Sequence, residues 1–321
     1  MQTDLSVIIP HYNIPDLLLK LLESIPDRDN VEVIVVNDAS TCSLADVEKY
    51  ISERTNIRLI KETVNGGAGT CRNDGLSDAN GRWVMFADAD DHFINGWYET
   101  VSAYFTGDAD LVYFMAESEE IGSGQESVRH VLINDTLQKL LDDPKDVKAA
   151  LDVRYKINVP WCKLISMKLI RDHKIAFDRV KVSNDEMFSA KTGYCARKIA
   201  IEKTPVYCVT SRPGSLEKVV SKENFWIRLL VFIRKYHFLE EHLSKEDFAL
   251  LDLSAQEKIF SLFQNRYDLP YCRKVLAKLR SENVRFLTAQ TFRPRALIAK
   301  CKLALSLLSV RKKEKKYISK E

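Results

Sequence analysis

The chain has 321 residues, 45% of them hydrophobic, and a formal net charge of +3. That length fits one large domain or two modest ones with a real core, and so small a charge makes no case for a nucleic-acid partner. Seven scattered cysteines (42, 71, 162, 195, 208, 272 and 301) form no CxxC pair, which argues against a structural zinc site or a disulfide framework and for a reducing, cytoplasmic compartment.

The N-terminus enters a strand-like run without a basic n-region, so no signal peptide is expected. No run approaches the roughly 20 apolar residues that span a bilayer. Leu5 to Ile9 reads as a β-branched strand stopped by Pro10. Ile14 to Ile25 has helical apolar spacing. Val31 to Val36 is a second strand ending at Asn37-Asp38, and Ser43 with Asp46 forms a capping-box-like start for a helix over 44–51. Arg58 to Lys61 is a third strand, and the loop Asn65-Gly66-Gly67-Ala68-Gly69 leads into a helix near 70–79. Trp83 to Ala87 is a fourth strand, Asn95 caps another helix, and Leu111 to Phe114 is a fifth strand. This alternation predicts an α/β fold, a mostly parallel sheet with helices on both faces. Residues 117–135 are polar and carry no assignment. Leu137 to Tyr155 is helical, and so is Asn184 to Gly193, capped by Asn184. Past 222 the chain becomes mixed-charge and helical, which sets a domain boundary there: residues 1–222, then a helical region 223–292, then a basic amphipathic tail 293–321.

In such sheets ligands bind beyond the carboxyl ends of the strands. Pro10 to Asn13, Asn37-Asp38 and Asp88-Ala89-Asp90-Asp91 all fall on that rim. Crowded carboxylates repel one another, and a hard cation such as Mg2+ or Mn2+, itself a partner of phosphate, removes the repulsion. Asp38 is either an acceptor for a nucleobase N–H or a turn aspartate. Gly67 lies in a loop whose helix start attracts phosphate, followed by the donor fork of Arg72. Asn184-Asp185-Glu186 either caps a helix or supplies a general base, Asp185. Trp161 and Lys163 follow Pro160, and the tryptophan either stacks on a sugar or belongs to the core. Arg212 and Ser215 sit in a donor-rich loop able to close over a diphosphate, or in a surface turn.

Taken together, residues 5–13, 33–40, 65–73, 86–91 and 161–188 resemble the family 2 glycosyltransferases, inverting enzymes of the GT-A fold. The stretch Val33 to Ser40 is similar to the family's second strand with its nucleotide-binding aspartate. Phe86 to Asp91 resembles its DxD motif, and Asn184 to Phe188 its acceptor-side half, where Glu-Asp is more usual than Asn184-Asp185. The resemblance implies a GT-A-like nucleotide-binding sheet and a nucleotide-sugar donor, with UDP the expected nucleotide. It implies that Pro10, Tyr12, Asp38, Gly67, Arg72, Asp88 and Ala89 bind the donor and that Asp90 ligates Mn2+ or Mg2+. Asp185 would be the base, with Trp161, Lys163, Asn184 and Glu186 on the side of a glycan or lipid-linked acceptor. The basic tail either meets an anionic membrane surface or docks as a helix. Two other readings compete. A sugar-nucleotide pyrophosphorylase would need a glycine-rich basic loop where Pro10 to Asn13 stands. A non-catalytic nucleotide-sugar binder would not hydrolyse its donor.

Overall fold

A computed structural model describes residues 3–211 and 221–288. Arg212, Ser215 and the basic tail from 293 lie outside the described residues. The first strands are β1 (Leu5–His11), β2 (Val31–Asn37), β3 (Ile57–Lys61) and β4 (Trp83–Phe86), separated by α1 (Pro15–Glu23), α2 (Ala45–Ser52) and α3 (Ala68–Asp78). One helix between successive strands returns the chain to the same edge, so all four run parallel. β1 is central in this half, paired with β2 up to His11↔Asn37 and with β4 up to Ile8↔Phe86. Every residue of β1 is buried, because helices cover both faces of the sheet. Pro10 has no N–H with which to extend the ladder, and pairing to β4 stops two residues before it. The carboxyl ends of β1, β2 and β4 therefore share one rim.

The second half holds β5 (His92–Phe93), α4 (Trp97–Ser102), β6 (Leu111–Glu120), α5 (Val131–Asp142), α6 (Val147–Lys156), β7 (Lys163–Ser166), α7 (Met167–Asp172), α8 (Glu186–Cys195) and β8 (Ile199–Ser211). Among the described residues the eight strands form one sheet in the order β3-β2-β1-β4-β7-β6-β8-β5. This half is mixed where the sequence predicted mostly parallel pairing. β7 is antiparallel to both β4 and β6, and β5 is antiparallel to β8. Two helices rather than one separate β6 from β7, so β7 re-enters from the edge at which β6 ended.

Several local expectations need correction. The helix expected over 137–155 is two, broken at Pro144, and Asp146 caps the second by accepting from the Ala149 N–H at 3.1 Å. The capping box of Ser43 and Asp46 does not form: Leu44 is the cap residue of α2, without a side-chain bond. Gly96, at φ +82°, and not Asn95, precedes α4. Asp185 rather than Asn184 occupies the cap position of α8, because the Asn184 side chain is engaged elsewhere. The unassigned stretch 117–135 contains the end of β6 and the start of α5.

The chain divides into two compact units, the first through Lys235 and the second from Tyr236. The hydrophobic core of the first runs from Leu5 to Val209. A helix, α9 (Lys222–His242), carries the chain from one unit into the other. The second unit continues as α10 (Lys245–Leu251), α11 (Gln256–Gln264) and α12 (Leu269–Ser281), with Leu239, Leu251, Leu262, Val275 and Leu279 at its centre. No helix among the described residues is long and apolar enough to cross a membrane.

Candidate active site

Four polar segments meet at the rim. The acidic turn leaves β4 at Phe86. Its last carboxylate, Asp91, is buried with one hydrogen bond to each oxygen: it accepts from the Tyr207 hydroxyl at 2.9 Å and from the Thr210 N–H at 2.7 Å. The same Tyr207 oxygen accepts from the Asp88 N–H at 2.8 Å, and the Thr210 hydroxyl donates to the Asp90 carbonyl. β8 thus fixes both ends of the turn. Burial, together with the nearby charges of Asp88 and Asp90, holds the Asp91 carboxyl well above the ordinary carboxylate range. That is the signature of crowded, undercompensated negative charge. Asp88 and Asp90 remain half-buried, so the turn offers hard oxygen donors together with a repulsion that a dication relieves. The residues present fit Mg2+ or Mn2+.

The glycine loop lies beside the turn. Asp38 is buried at the end of β2, and its two oxygens accept from the Gly66 and Gly67 N–H groups at 2.7 and 2.9 Å. The carboxylate orders the loop, and each oxygen keeps a second lone pair. Gly67 takes φ +80°, a conformation that glycine adopts at no steric cost. Next to it the His11 ring is buried. Its Nδ1 faces Asn37 Oδ1 at 3.0 Å and its Nε2 accepts from the Ile14 N–H at 3.2 Å. Those partners assign a neutral ring with the proton on Nδ1, and burial pushes its pKa down accordingly.

Arg72, on the second turn of α3, joins the two halves of the site. One nitrogen donates to Asp88 Oδ1 at 2.6 Å and another to Asn184 Oδ1 at 2.8 Å. The guanidinium carbon lies 5.3 Å from the Phe177 ring centroid, within cation–π range. Asn73 binds the strap 177–184 from the same helix, donating to the Phe177 carbonyl at 3.0 Å and accepting from its N–H at 2.8 Å. Beneath them Phe177 stacks on Phe188 at 3.8 Å, and both meet the edge of Phe86. This aromatic cluster ties β4, the strap and α8 together.

The strap delivers Asp185 to the rim. Burial raises its pKa to about 6; Arg72 pulls it down, while Glu186 and Asp88 push it further up. Asp88 and Asp185 thus feel each other's charge across one guanidinium.

The other expected site residues distribute unevenly. Tyr12 is exposed at the rim, 46% accessible, whereas Pro10 and Ala89 are buried in its wall. Glu186 is buried at the start of α8. Two acceptor-side expectations are corrected. Lys163 is fully buried; its Nζ donates to the Ile157 carbonyl at 2.8 Å and to Ser189 Oγ at 2.9 Å, and burial lowers its pKa to about 8. It braces α8 from within, because a strand facing helices on both sides leaves its lysine no path to solvent. Trp161 is also buried, stacked on Tyr207 at 5.5 Å, so its face is taken by protein. Sequence reasoning missed Tyr207 and Thr210; Asn73 and Phe177 fell inside the family-like segments 65–73 and 161–188, but their bonds to each other were not foreseen. Only a rim tyrosine on a late strand could have hinted at Tyr207, and it stands 116 residues from its Asp91 partner.

The model for glycosyl transferase family 2 matches residues 6–173, more than half of the chain. The chain belongs to glycosyl transferase family 2. It is a glycosyltransferase of the GT-A fold. It is 26% identical over 289 residues to the candidate glycosyltransferase EpsH of Bacillus subtilis (strain 168), spanning 87% of this chain and 82% of EpsH. It is 28% identical over 231 residues to the poly(ribitol-phosphate) beta-N-acetylglucosaminyltransferase TarS of Staphylococcus aureus, spanning 69% of this chain but 38% of TarS. The crystal structure of S. aureus TarS 1–349 in complex with UDP-GlcNAc superposes with a TM-score of 0.66 at 20% identity, covering 87% of this chain and 81% of that one. The glycosyltransferase GlyA of Streptococcus pneumoniae is longer, and the chain spans 33% of it.

Proposed function

We propose that this chain transfers a sugar from a UDP-linked donor to a hydroxyl of a surface glycan or its lipid-linked precursor, inverting the anomeric carbon, with Asp185 as general base. The observation that carries the reading is Arg72: its guanidinium binds Asp88 in the acidic turn and Asn184 beside the base. Donor and base sides therefore face one cleft. Complexes of TarS with UDP-GlcNAc and with UDP support a UDP donor, and the poly(ribitol-phosphate) transferases among the relatives support a glycan acceptor. Peripheral attachment through the basic tail belongs to this proposal.

In the reaction, Asp38 and the loop at Gly67 hold the base and phosphate end of the donor, and Asp88 meets the ribose. Asp90 would hold Mn2+ or Mg2+, which would supply positive charge against the leaving diphosphate. A mannosyltransferase of the same fold, PcManGT from Pyrobaculum calidifontis, has been solved with GDP-Man and Mn2+ (TM-score 0.56), which supports such an ion. Asp185 takes the proton of the acceptor hydroxyl, whose oxygen attacks opposite the diphosphate. A carboxylate with a pKa near 6 suits this work: it is ionised at neutral pH yet basic enough to take a proton.

The test pairs binding with turnover. UDP-, GDP- and dTDP-sugars are titrated calorimetrically with Mn2+, and release of nucleoside diphosphate is followed. UDP-sugars should bind and be slowly hydrolysed. Asp185→Asn should bind the donor as the wild type does and lose roughly 10^2 to 10^4 in rate. Asp90→Ala should lose metal-dependent binding. Unchanged turnover in Asp185→Asn removes the base from the mechanism, and metal-dependent binding in Asp90→Ala removes the ligand.

A further inference from the structure

The outer strands carry three potential ligands that the transfer reaction leaves unused. β6, β8 and β5 are adjacent, and pairing sets His92 opposite Cys208 and Cys208 opposite Glu117. Alternate residues of a strand point to opposite faces. Asp91 and Tyr207 meet each other, so His92 and Cys208 lie on the other face, joined there by Glu117 and Glu119. One ligand atom each of His92, Glu119 and Cys208 lies within 4.8 Å of the other two, and His92 Nδ1 is 4.0 Å from Glu119 Oε1. A tetrahedral zinc ion, with bonds of about 2.0 to 2.3 Å, spaces its ligands roughly 3.3 to 3.8 Å apart. Small side-chain rotations close that gap, and the imidazole and carboxylate, both half-buried, are free to make them.

We propose that His92, Glu119 and Cys208 form a second metal site, for a transition-metal dication of the zinc class, on the sheet face opposite Asp91 and Tyr207. The chemistry selects the ion: one thiolate, one imidazole and one carboxylate are a borderline-soft set that favours Zn2+ over Mg2+. This site is therefore distinct in ligand type from the all-oxygen acidic turn. Burial and the carboxylates of Glu119, Glu117 and Asp91 push the Cys208 thiol up to about 12, so the metal must displace its proton to bind the sulfur. Binding releases that proton to solvent and forms the metal–sulfur bond. Glu117, exposed and opposite Cys208, or a water supplies the fourth ligand. The mechanical result is a clip. β5 has two residues and begins immediately after Asp91, and an ion bonded to three neighbouring strands holds the exit of the acidic turn in register.

The experiment uses the full chain with Cys42, an exposed thiol, replaced by serine in every sample, and Co2+ as the probe. Wild-type ligands should give a thiolate-to-cobalt charge-transfer band and tetrahedral d–d bands, displaced by Zn2+, while Mg2+ leaves them unchanged. Cys208→Ser and His92→Asn should each abolish the charge-transfer band or weaken Co2+ affinity at least tenfold. Zn2+ should raise the unfolding midpoint of the wild type more than that of either variant. His92 is half-exposed, so His92→Asn carries the test even where Cys208→Ser fails to fold. Absence of the thiolate band, or a band of unchanged affinity in His92→Asn, overturns the site. Oxygen ligands give no thiolate band, so cobalt at Asp90 cannot imitate the result.

Discussion

At the scale of residues, the site concentrates charge that the fold only partly compensates. Asp185 illustrates the consequence. Its pKa is raised from 3.8 in the unfolded chain to about 6 in the native state. A raised carboxyl means the folded protein binds the proton more tightly, so the stabilising contribution is present at low pH and declines as pH climbs from about 4 to about 6. Above 6 the buried charge is a standing cost of about 1 to 3 kcal/mol at roughly 1.4 kcal/mol per unit. Asp185→Asn should therefore stabilise the protein at pH 8 and have little effect at pH 4. Urea unfolding at the two values checks this; equal effects at both would place the origin of any change elsewhere. On the proposed mechanism, activity should follow the opposite course in the wild type, falling as pH drops through about 6, where Asp185 becomes protonated.

Among elements, the junction between α3 and the strap 177–184 decides whether the two halves of the cleft meet. Gly69 sits at the closest approach: a Cβ there would lie 2.3 Å from the Asp178 carbonyl oxygen and 2.8 Å from Asn184 Cβ. Backbone cannot swing aside as a long side chain can. Gly69→Ala should push the strap from α3, cost about 1 to 3 kcal/mol, and lower kcat by more than it raises the donor KM, since the displaced strap carries Asp185 while the acidic turn stays tied to β8. Steady-state kinetics with thermal unfolding measures both; a loss confined to donor KM would contradict this account.

These elements also mark the limit of what local sequence reveals. The strands β1, β2 and β4 were legible because each is mostly apolar and ends near polar residues at the rim, and the parallel order follows from single intervening helices. Asp38, Arg72, Asp88 and Asp185 were legible as candidates, with Asp38 and Asp88 on one rim of the sheet. Their bonds were not. Asp38 serves the glycine loop, and Arg72 reaches an asparagine 112 positions away. Such contacts depend on how loops and the strap 177–184 pack against the rim, which no local period encodes. The same ignorance left Trp161 open between a sugar platform and the core and put Lys163 on the acceptor side; both are buried once the strand beside them is known.

At the scale of the molecule, the hydrophobic core cluster of the sheet among the described residues spans 5–209, and the division into units falls within α9. A chain ending after His242, which keeps α9 whole, should therefore unfold cooperatively and bind donor like the full chain. Calorimetric unfolding and donor titration test this, and a broad, weakly cooperative transition would show that the sheet needs the rest of the chain. The hydrogen bonds of the cleft all lie inside the retained part.

The double grip of Arg72 has an outcome for the order of events. A single guanidinium cannot strengthen its hold on one neighbour without altering its field at the other. Whatever draws Asp88 outward loosens one arm of the fork and leaves more of the positive charge to the strap, where Asp185 waits. With the donor at Asp88 and the acceptor at Asp185, as proposed, arrival of one reactant would be felt at the seat of the second before that second arrives.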